Sequence, residues 1–555
     1  MLLSILLSPV VLFASITTLL YLVYRSIALS LARRRFARDH GCQPAAALKM
    51  RDPILGLDVL LASITAGKEH RLLDMLTARF AETGSETFTS KRLGAPALMT
   101  MAPANVKAIL STRFDDFAIG PFRQPALHGF LGDGIFTTDG SHWAASRAMI
   151  RPNFVRDQVA DLNAFESHIE DLLAAISSAT AKQPFFDLQE LFFKFTIDSA
   201  TEFLFGKSVR SLHPSSDHGN AEARFAEAFT AAQAEGLDLI RLGPLAQLVG
   251  SNRARISTGE RAVDVVHAYV DQFVDEAVRF REEEDKKKKW EAGRRVAPGT
   301  DNGVFSQEKQ EDSSKDEKKY VFLHELATRT TDKHRLRSEL LNVLLAGRDT
   351  TASLLGNLFF VLARQPDVWR KLRAEVTSTL HGRRPTYEEL RNMKYLKWCL
   401  NESLRLHPVV PLNTRICTAD TILPTGGGPS GRSPIFVPRG TIASWNLHAM
   451  HRRPSVFGPD PTAFRPDRWE RLRCAGWEYL PFNGGPRVCV GQQYALTEAA
   501  YVVVRLAQEF AELVPRDPRE EWREQLALTL CAGGGVWVRF EKGEAGAGTE
   551  AEAEV

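Results

Sequence analysis

The chain has 555 residues, 44% of them hydrophobic, with 70 basic against 67 acidic side chains and a formal charge of +3. Such a length suggests several domains, but large single-domain enzymes break that arithmetic, and this much apolar sequence supplies an extensive core. The near balance of charge gives nucleic acid no footing as a partner. The six cysteines, Cys42, Cys399, Cys417, Cys474, Cys489 and Cys531, form no C-x-x-C pair and no zinc-like cluster. Neither a disulfide framework nor a structural zinc is indicated, and a reducing compartment fits best.

Residues 1–24 carry no charged side chain, and as a helix they could cross a bilayer core of about 30 Å. The apolar run is longer than that of a signal peptide and no basic region precedes it, which favours an uncleaved transmembrane anchor. Pro9 is expected to shorten or kink the span. Residues 25–40, with Arg25, Arg33, Arg34, Arg35 and Arg38, read as a basic linker. The positive-inside tendency then puts the body of the chain in the cytosol, in a eukaryote as a single-pass protein of the endoplasmic reticulum membrane.

Residues 41–104 mix short apolar runs with turns, consistent with a small sheet and one helix around residues 68–83. Residues 113–139, rich in Phe, Gly and Pro, suggest an ordered, irregular loop suited to shaping a pocket. In residues 140–154, Trp143 and Arg147 are four apart and share a helix face; by itself such a pair is most often Arg packed over an aromatic. Residues 157–206 and 221–281 carry amphipathic helical patterns, and the phenylalanines of LFFKF from Leu191 suit a core. Residues 282–319 turn abruptly polar, a solvated and partly disordered insertion. The tail, 543–555, is rich in Gly, Ala and Glu and is expected to be unstructured.

Residues 335–364 form a long helical pattern that no proline interrupts before Pro366. Ala346, Gly347, Arg348, Asp349, Thr350 and Thr351 sit inside its apolar run. A mid-helix glycine costs about 1 kcal/mol relative to alanine, and buried polar groups need partners. A local opening over a ligand would account for both, and so would a bend relieved by back-bonding hydroxyls. In the helical pattern of residues 395–408, Glu402 and Arg405 are three apart, by themselves an ordinary ion pair. The N-x-S sequon at Asn401 falls in the same pattern and reads as a chance match. Gly426, Gly428 and Gly431 spell G-x-G-x-x-G, but Pro429 interrupts them and an extended stretch follows where a dinucleotide turn needs a helix N-terminus. No nicotinamide or flavin site is expected on this chain.

Cys489 lies in residues 480–492, LPFNGGPRVCVGQ, a tight loop followed by a helical pattern over residues 492–510. A cysteine at a loop-to-helix junction is placed where backbone N–H groups and the helix dipole favour the thiolate that a metal ligand needs. A small buried side chain beside a turn is the commoner case.

Phe482, Gly485, Arg487, Cys489 and Gly491 reproduce F-x-x-G-x-R-x-C-x-G. The stretch resembles the haem-binding loop of the cytochromes P450, the haem-thiolate monooxygenases. That resemblance implies that Cys489 is the axial thiolate ligand of haem (heme) iron, that Arg487 meets a haem propionate and that Phe482 belongs to the same cofactor-binding loop. It extends to W-x-x-x-R at Trp143 and Arg147, which would also contact the propionates, and to A-G-x-D-T-T over residues 346–351. There Asp349 and Thr350 would relay protons to dioxygen and Gly347 would leave room beside the haem. Glu402, Arg405 and Arg468 match the E-x-x-R network that serves folding and haem retention, and Arg415 aligns with a further propionate contact.

The fold implied is mainly α with a smaller β-rich part, the cytochrome P450 fold, with residues 41–542 as the haem-thiolate monooxygenase domain. Electrons would come from NADPH through a membrane-bound NADPH-cytochrome P450 reductase. TTDGSHWAASRAMIRPNF and PFNGGPRVCVGQQYALTEA, among other stretches, look like the fungal branch that hydroxylates alkanes and fatty acids at the chain terminus. A long-chain, lipid-soluble substrate reached from the membrane follows from that. The alternatives are a relative that tailors a different hydrophobic secondary metabolite, or a haem-thiolate enzyme that does not activate dioxygen, against which the intact Asp349 and Thr350 argue.

Overall fold

A computed structural model describes residues 9–120, 123–154, 161–213, 221–243, 250–295, 320–474 and 476–542. The chain divides into two compact units, the first made of Met1–Ala118, Leu412–Met450 and Cys474–Val488. It begins with one continuous helix, α1 (Pro9–Asp39). Val11–Asp39 is long and apolar enough to cross a membrane, and its Leu12, Phe13, Leu19, Leu20 and Tyr24 are exposed. The basic stretch 25–40, expected as a linker, is therefore helical as far as Asp39. Arginine favours a helix, and nothing between Val10 and Asp39 breaks one until Gly41 takes a positive φ of 64°. The far half is pinned to its own unit by Arg33, whose Nε and Nη2 both donate to Asp420 at 2.9 Å.

Two helices, α2 (Leu57–Lys68) and α3 (Leu72–Thr83), stand where one was expected, because His70 between them adopts φ 55°. The sheet has six strands in the order Ala46–Ala47, Thr87–Arg92, Ala95–Thr100, Ile442–Asn446, Leu412–Cys417 and Phe117–Ala118. Beneath it Leu98, Val106, Ile109, Trp445 and Leu480 make a core. Gly426, Gly428 and Gly431 all have positive φ and lie where Thr421–Gly427 pairs antiparallel with Ser433–Val437. Those glycines serve a hairpin.

The second unit, Ile119–Pro411, His451–Arg473 and Cys489–Val555, is mainly helical. The supposed loop over residues 113–139 is more regular than expected, since it contains the short strand Phe117–Ala118 and α4 (Arg123–Leu131). There follow α5 (Gly140–Ile150), α6 (Asn163–Lys182), α7 (Leu188–Phe205), α8 (Ala221–Leu242) and α9 (Ala262–Arg295). Residues 282–295, expected as part of an insertion, thus continue α9. Opposite charges one turn apart support it, as in Arg281 with Asp285 at 3.1 Å. Residues 296–319 and the tail 543–555 lie outside the described residues.

The long helix α10 (Lys333–Arg364) packs against α7, α9 and, further along the chain, α11 (Pro366–Leu380), α12 (Lys394–Leu406) and α13 (Gln492–Glu509). Leu336, Leu340, Leu344, Leu355, Leu358 and Leu362 are fully buried. Its buried amides are satisfied by neighbouring elements, as where Asn342 Nδ2 donates to the Leu131 carbonyl of α4 at 3.1 Å and Asn357 Nδ2 to that of Leu530, in a short strand, at 2.8 Å. Phe192 and Phe195 of α7 are likewise fully buried, as a core role for LFFKF requires.

Candidate functional site

Cys489 stands three residues ahead of α13, whose N-cap is Gly491. Its side chain is exposed, yet the surrounding protein disfavours a bare thiolate and raises the thiol, while the Gly491 N–H and the Arg147 guanidinium pull it back down. A cation is what would hold that sulfur deprotonated. Among the described residues no group of three or more His, Cys, Asp or Glu could hold a metal ion.

On α5, Trp143 is buried and Arg147 follows one turn later, half-buried. Burial lowers the Arg147 pKa, Arg151 repels it, and Cys489 is the one group that favours its charge. No carboxylate pairs with it among the described residues. A partly desolvated guanidinium of this kind suits an anionic ligand group. One accessible sulfur beside an unpaired cation fits a haem with its propionates.

Along α10, residues 346–351 remain α-helical. No opening of the helix is seen there, and Thr350 Oγ1 donates back to the Ala346 carbonyl at 2.6 Å. A Cβ added to Gly347 would find only the Ala200 Cβ within 4 Å, at 3.6 Å, so there is room beside this residue. Asp349 is 3% exposed. Gln233 of α8 donates to its Oδ2, and Arg348 Nη1 stands 3.3 Å from its Oδ1. Arg348 in turn is held by the Thr230 hydroxyl at 2.9 Å and by the rings of Phe193 and Phe229. Burial raises the Asp349 carboxyl, with Arg348 and then Gln233 opposing it. An acid that keeps its proton to higher pH than a free aspartate suits proton transfer.

The Glu402 network is complete within the second unit. Arg405 holds Glu402 through Nε at 2.9 Å and Nη2 at 2.8 Å, Arg468 Nε joins at 2.8 Å and Trp469 Nε1 at 2.9 Å. Both members of the central pair are fully buried. Their remaining donors reach the carbonyls of His451, Ala463, Phe457 and Asp460. They fasten the α12 end to residues 451–469.

Phe482, Arg487 and Arg415 belong to the first unit. Gly485 has φ 68°, and a Cβ there would fall 1.9 Å from the Leu110 carbonyl oxygen, so a glycine is required. Arg487 ends the short 3-10 turn Gly485–Arg487, and Phe482 is half-buried. Arg415, 7% exposed, donates to the Thr414 carbonyl at 2.9 Å and lies over the Trp445 ring at 5.4 Å. Within the second unit the structure thus pairs Cys489 with Arg147 and sets Gly347, Asp349 and Thr350 together on α10. Gln233 and Thr230 escaped the sequence, where no local pattern marks a partner more than 100 residues away.

The family description "Cytochrome P450" matches residues 56–531. The cytochrome P450 monooxygenase himC of Aspergillus japonicus is 44% identical over 520 residues, covering 94% of this chain and 87% of that protein. Cytochrome P450 52A12 of Debaryomyces hansenii is 42% identical over 496 residues, 86% of this chain and 89% of its own. Cytochrome P450 52A1 of Candida tropicalis is 40% identical over 461 residues, 80% and 78% of the two chains.

Proposed function

This chain belongs to the cytochrome P450 family and is a haem-thiolate monooxygenase, and from that premise we propose that it hydroxylates a long-chain fatty acid or alkane at its terminus. The observation that carries the oxygen-activating part is the buried Asp349 beside Thr350 on α10. Support for the substrate comes from the resemblance of residues 137–154 and 481–499 to the fungal chain-hydroxylating branch. The exposed apolar face of α1 would keep the enzyme in the membrane where such substrates dissolve. We place it in the endoplasmic reticulum membrane with a cytosolic body, drawing electrons from NADPH through a flavoprotein reductase.

When bound, haem supplies thiolate-ligated iron chemistry, which splits the O–O bond of dioxygen with two electrons, inserts one oxygen atom into a C–H bond and releases water. Cys489 gives the thiolate. By the family resemblance, Trp143 and Arg147 on α5, and Arg487 and Arg415 in the first unit, would contact the propionates, and Phe482 would belong to the same cofactor-binding loop. Asp349 would hold a proton, and it and the Thr350 hydroxyl, which its bond to Ala346 orients, would relay protons to dioxygen. Gly347 keeps the adjacent space clear.

Turnover with reductase and NADPH, followed by mass spectrometry over fatty acids, alkanes and terpenoids, tests the substrate. Terminally hydroxylated chains are expected. Conversion of a cyclic scaffold alone would overturn the chain reading in favour of a tailoring enzyme, while no oxygen-dependent product at all would sink the monooxygenase mechanism.

A further inference from the structure

Apart from α1, the longest run of exposed apolar side chains among the described residues lies on α2 and the turn before it: Ile54, Leu55, Leu57, Leu61 and Ile64, with Ile54 75% and Leu61 62% exposed. Leu57, Leu61 and Ile64 are four and three residues apart and so make one stripe along the helix. The opposite face buries Ala66 and packs Val59 against the core of Phe80 and Phe88. The turn that carries Ile54 and Leu55 is fixed in place. Asp52 accepts the N–H groups of Ile54, Leu55 and Leu57 at 3.0–3.1 Å, Asp58 accepts that of Arg51 at 2.7 Å, and the Gly94 N–H donates to the Leu55 carbonyl at 3.0 Å. A Cβ at Gly56 would fall 2.3 Å from the Lys91 carbonyl oxygen, so the turn is pressed onto the strand behind it. An apolar stripe displayed this rigidly marks a contact surface.

The same unit grips α1 at a defined place. Arg33 Nε and Nη2 donate to the two Asp420 oxygens at 2.9 Å, and Asp420 Oδ1 also accepts the Arg439 N–H at 2.7 Å. One turn on, the Phe36 ring lies 5.7 Å from that of Phe436, and the Gln43 N–H donates to the Pro434 carbonyl at 2.9 Å. Arg25 ends the uncharged run, and Arg33 follows it by eight residues, about 12 Å along a helix. Polar headgroups extend about 5–8 Å beyond each side of the hydrocarbon core. The grip therefore falls close to where a membrane-spanning α1 leaves the headgroups.

We propose that the first unit meets a phospholipid bilayer at two points, with α1 crossing it and the α2 stripe lying in its interfacial layer, and that the Arg33–Asp420 pair is the clamp that fixes the angle between them. The inference rests on the reading of α1 as a membrane-spanning helix. A bilayer is the occupant because the stripe belongs to the same compact unit as α1, and an in-plane helix with one apolar face is what an interface takes up. Arg34, Arg35 and Arg38 are exposed where α1 emerges and suit anionic headgroups. The clamp matters because α1 is unbroken from Pro9 to Asp39. No flexible joint within it absorbs a change of angle, so a bidentate pair at its far end sets how the unit is tilted and how deeply the stripe enters.

The full-length, haem-loaded protein in phosphatidylcholine vesicles, with and without bromine on the acyl chains, provides the test. Leu61→Trp adds an emission, read as the difference from wild type, that is expected to be blue-shifted and quenched about twofold or more by the brominated lipid. In that background R33Q and D420N, whose new amide still accepts the Arg439 N–H, should each lose about half of the quenching, and the double variant no more than either alone. The thiolate-type carbon monoxide spectrum shows that each variant is folded. Protein that floats with the vesicles while the added emission stays unquenched overturns the α2 contact, as does a blue shift without bromine quenching, which would assign the stripe to a second copy of the chain. Unchanged quenching in R33Q and D420N, or losses that add in the double variant, overturns the clamp. Protein that does not float at all sinks the anchor reading, and the proposal with it.

Discussion

Arg405 holds Glu402 from one turn away with two hydrogen bonds, Nε to Oε2 at 2.9 Å and Nη2 to Oε1 at 2.8 Å, and neither side chain touches solvent. A buried pair of this kind adds little over apolar packing, but removing one partner strands the other charge, at about 3–5 kcal/mol. Arg405→Lys loses the fork and leaves carbonyls of residues 451–463 without donors. Most of the haem-loaded protein should be lost, read from the carbon monoxide difference spectrum. Arg391→Lys, on an exposed pair with Glu388, should change unfolding stability by less than about 0.5 kcal/mol.

Gly485→Ala attacks the cysteine loop through its backbone. The new Cβ would need to displace the Leu110 carbonyl, which it meets at 1.9 Å, or pull φ away from 68°. Strain of this class costs about 1–3 kcal/mol. The loop should shift, lowering haem content several-fold while far-ultraviolet circular dichroism stays helical. Gly382→Ala, also at positive φ but with open space around it, should leave haem content unchanged.

The motif residues were legible because each motif is local: a helix face gives Trp143 and Arg147, a tight loop gives Gly485 and Cys489. What the sequence could not show is who meets whom at long range. Gln233 reaches Asp349 from 116 positions away, and Ser199 reaches Glu498 from 299. Residues 25–40 read as a basic linker, yet arginine favours a helix and α1 runs through them to Asp39. At residues 346–351 the helix stays closed, and the Thr350 hydroxyl is satisfied on the preceding turn, which sequence alone leaves open.

Asp349 makes a prediction with a definite sign. Burial raises its proton affinity, so the proton-bearing form persists to higher pH than in a free aspartate and is lost as pH climbs through the folded value. Asp349→Asn should lower turnover by about 10²–10⁴-fold and remove that limb of the pH profile, with the substrate-induced spectral shift retained. Gln233→Leu deletes a hydrogen bond that favours the carboxylate. Its limb should therefore move to higher pH; an unmoved limb would show that another group governs it.

Glu339 on α10 is fully buried, and Ser146 of α5 and Arg335 face it without offsetting that burial. Burial lifts its carboxyl from 4.5 to about 7. The folded value exceeds the unfolded one, so the stability this group contributes is fully present below about pH 4.5, declines as pH rises to about 7, and is flat beyond. A shift of that size corresponds to roughly 3 kcal/mol. Glu339→Gln cannot ionise, so at pH 8 it should unfold at higher denaturant than the wild type, and its stability should fall less between pH 5 and 7. Parallel pH profiles for the two proteins would mean that Glu339 is already ionised in the folded state across this range.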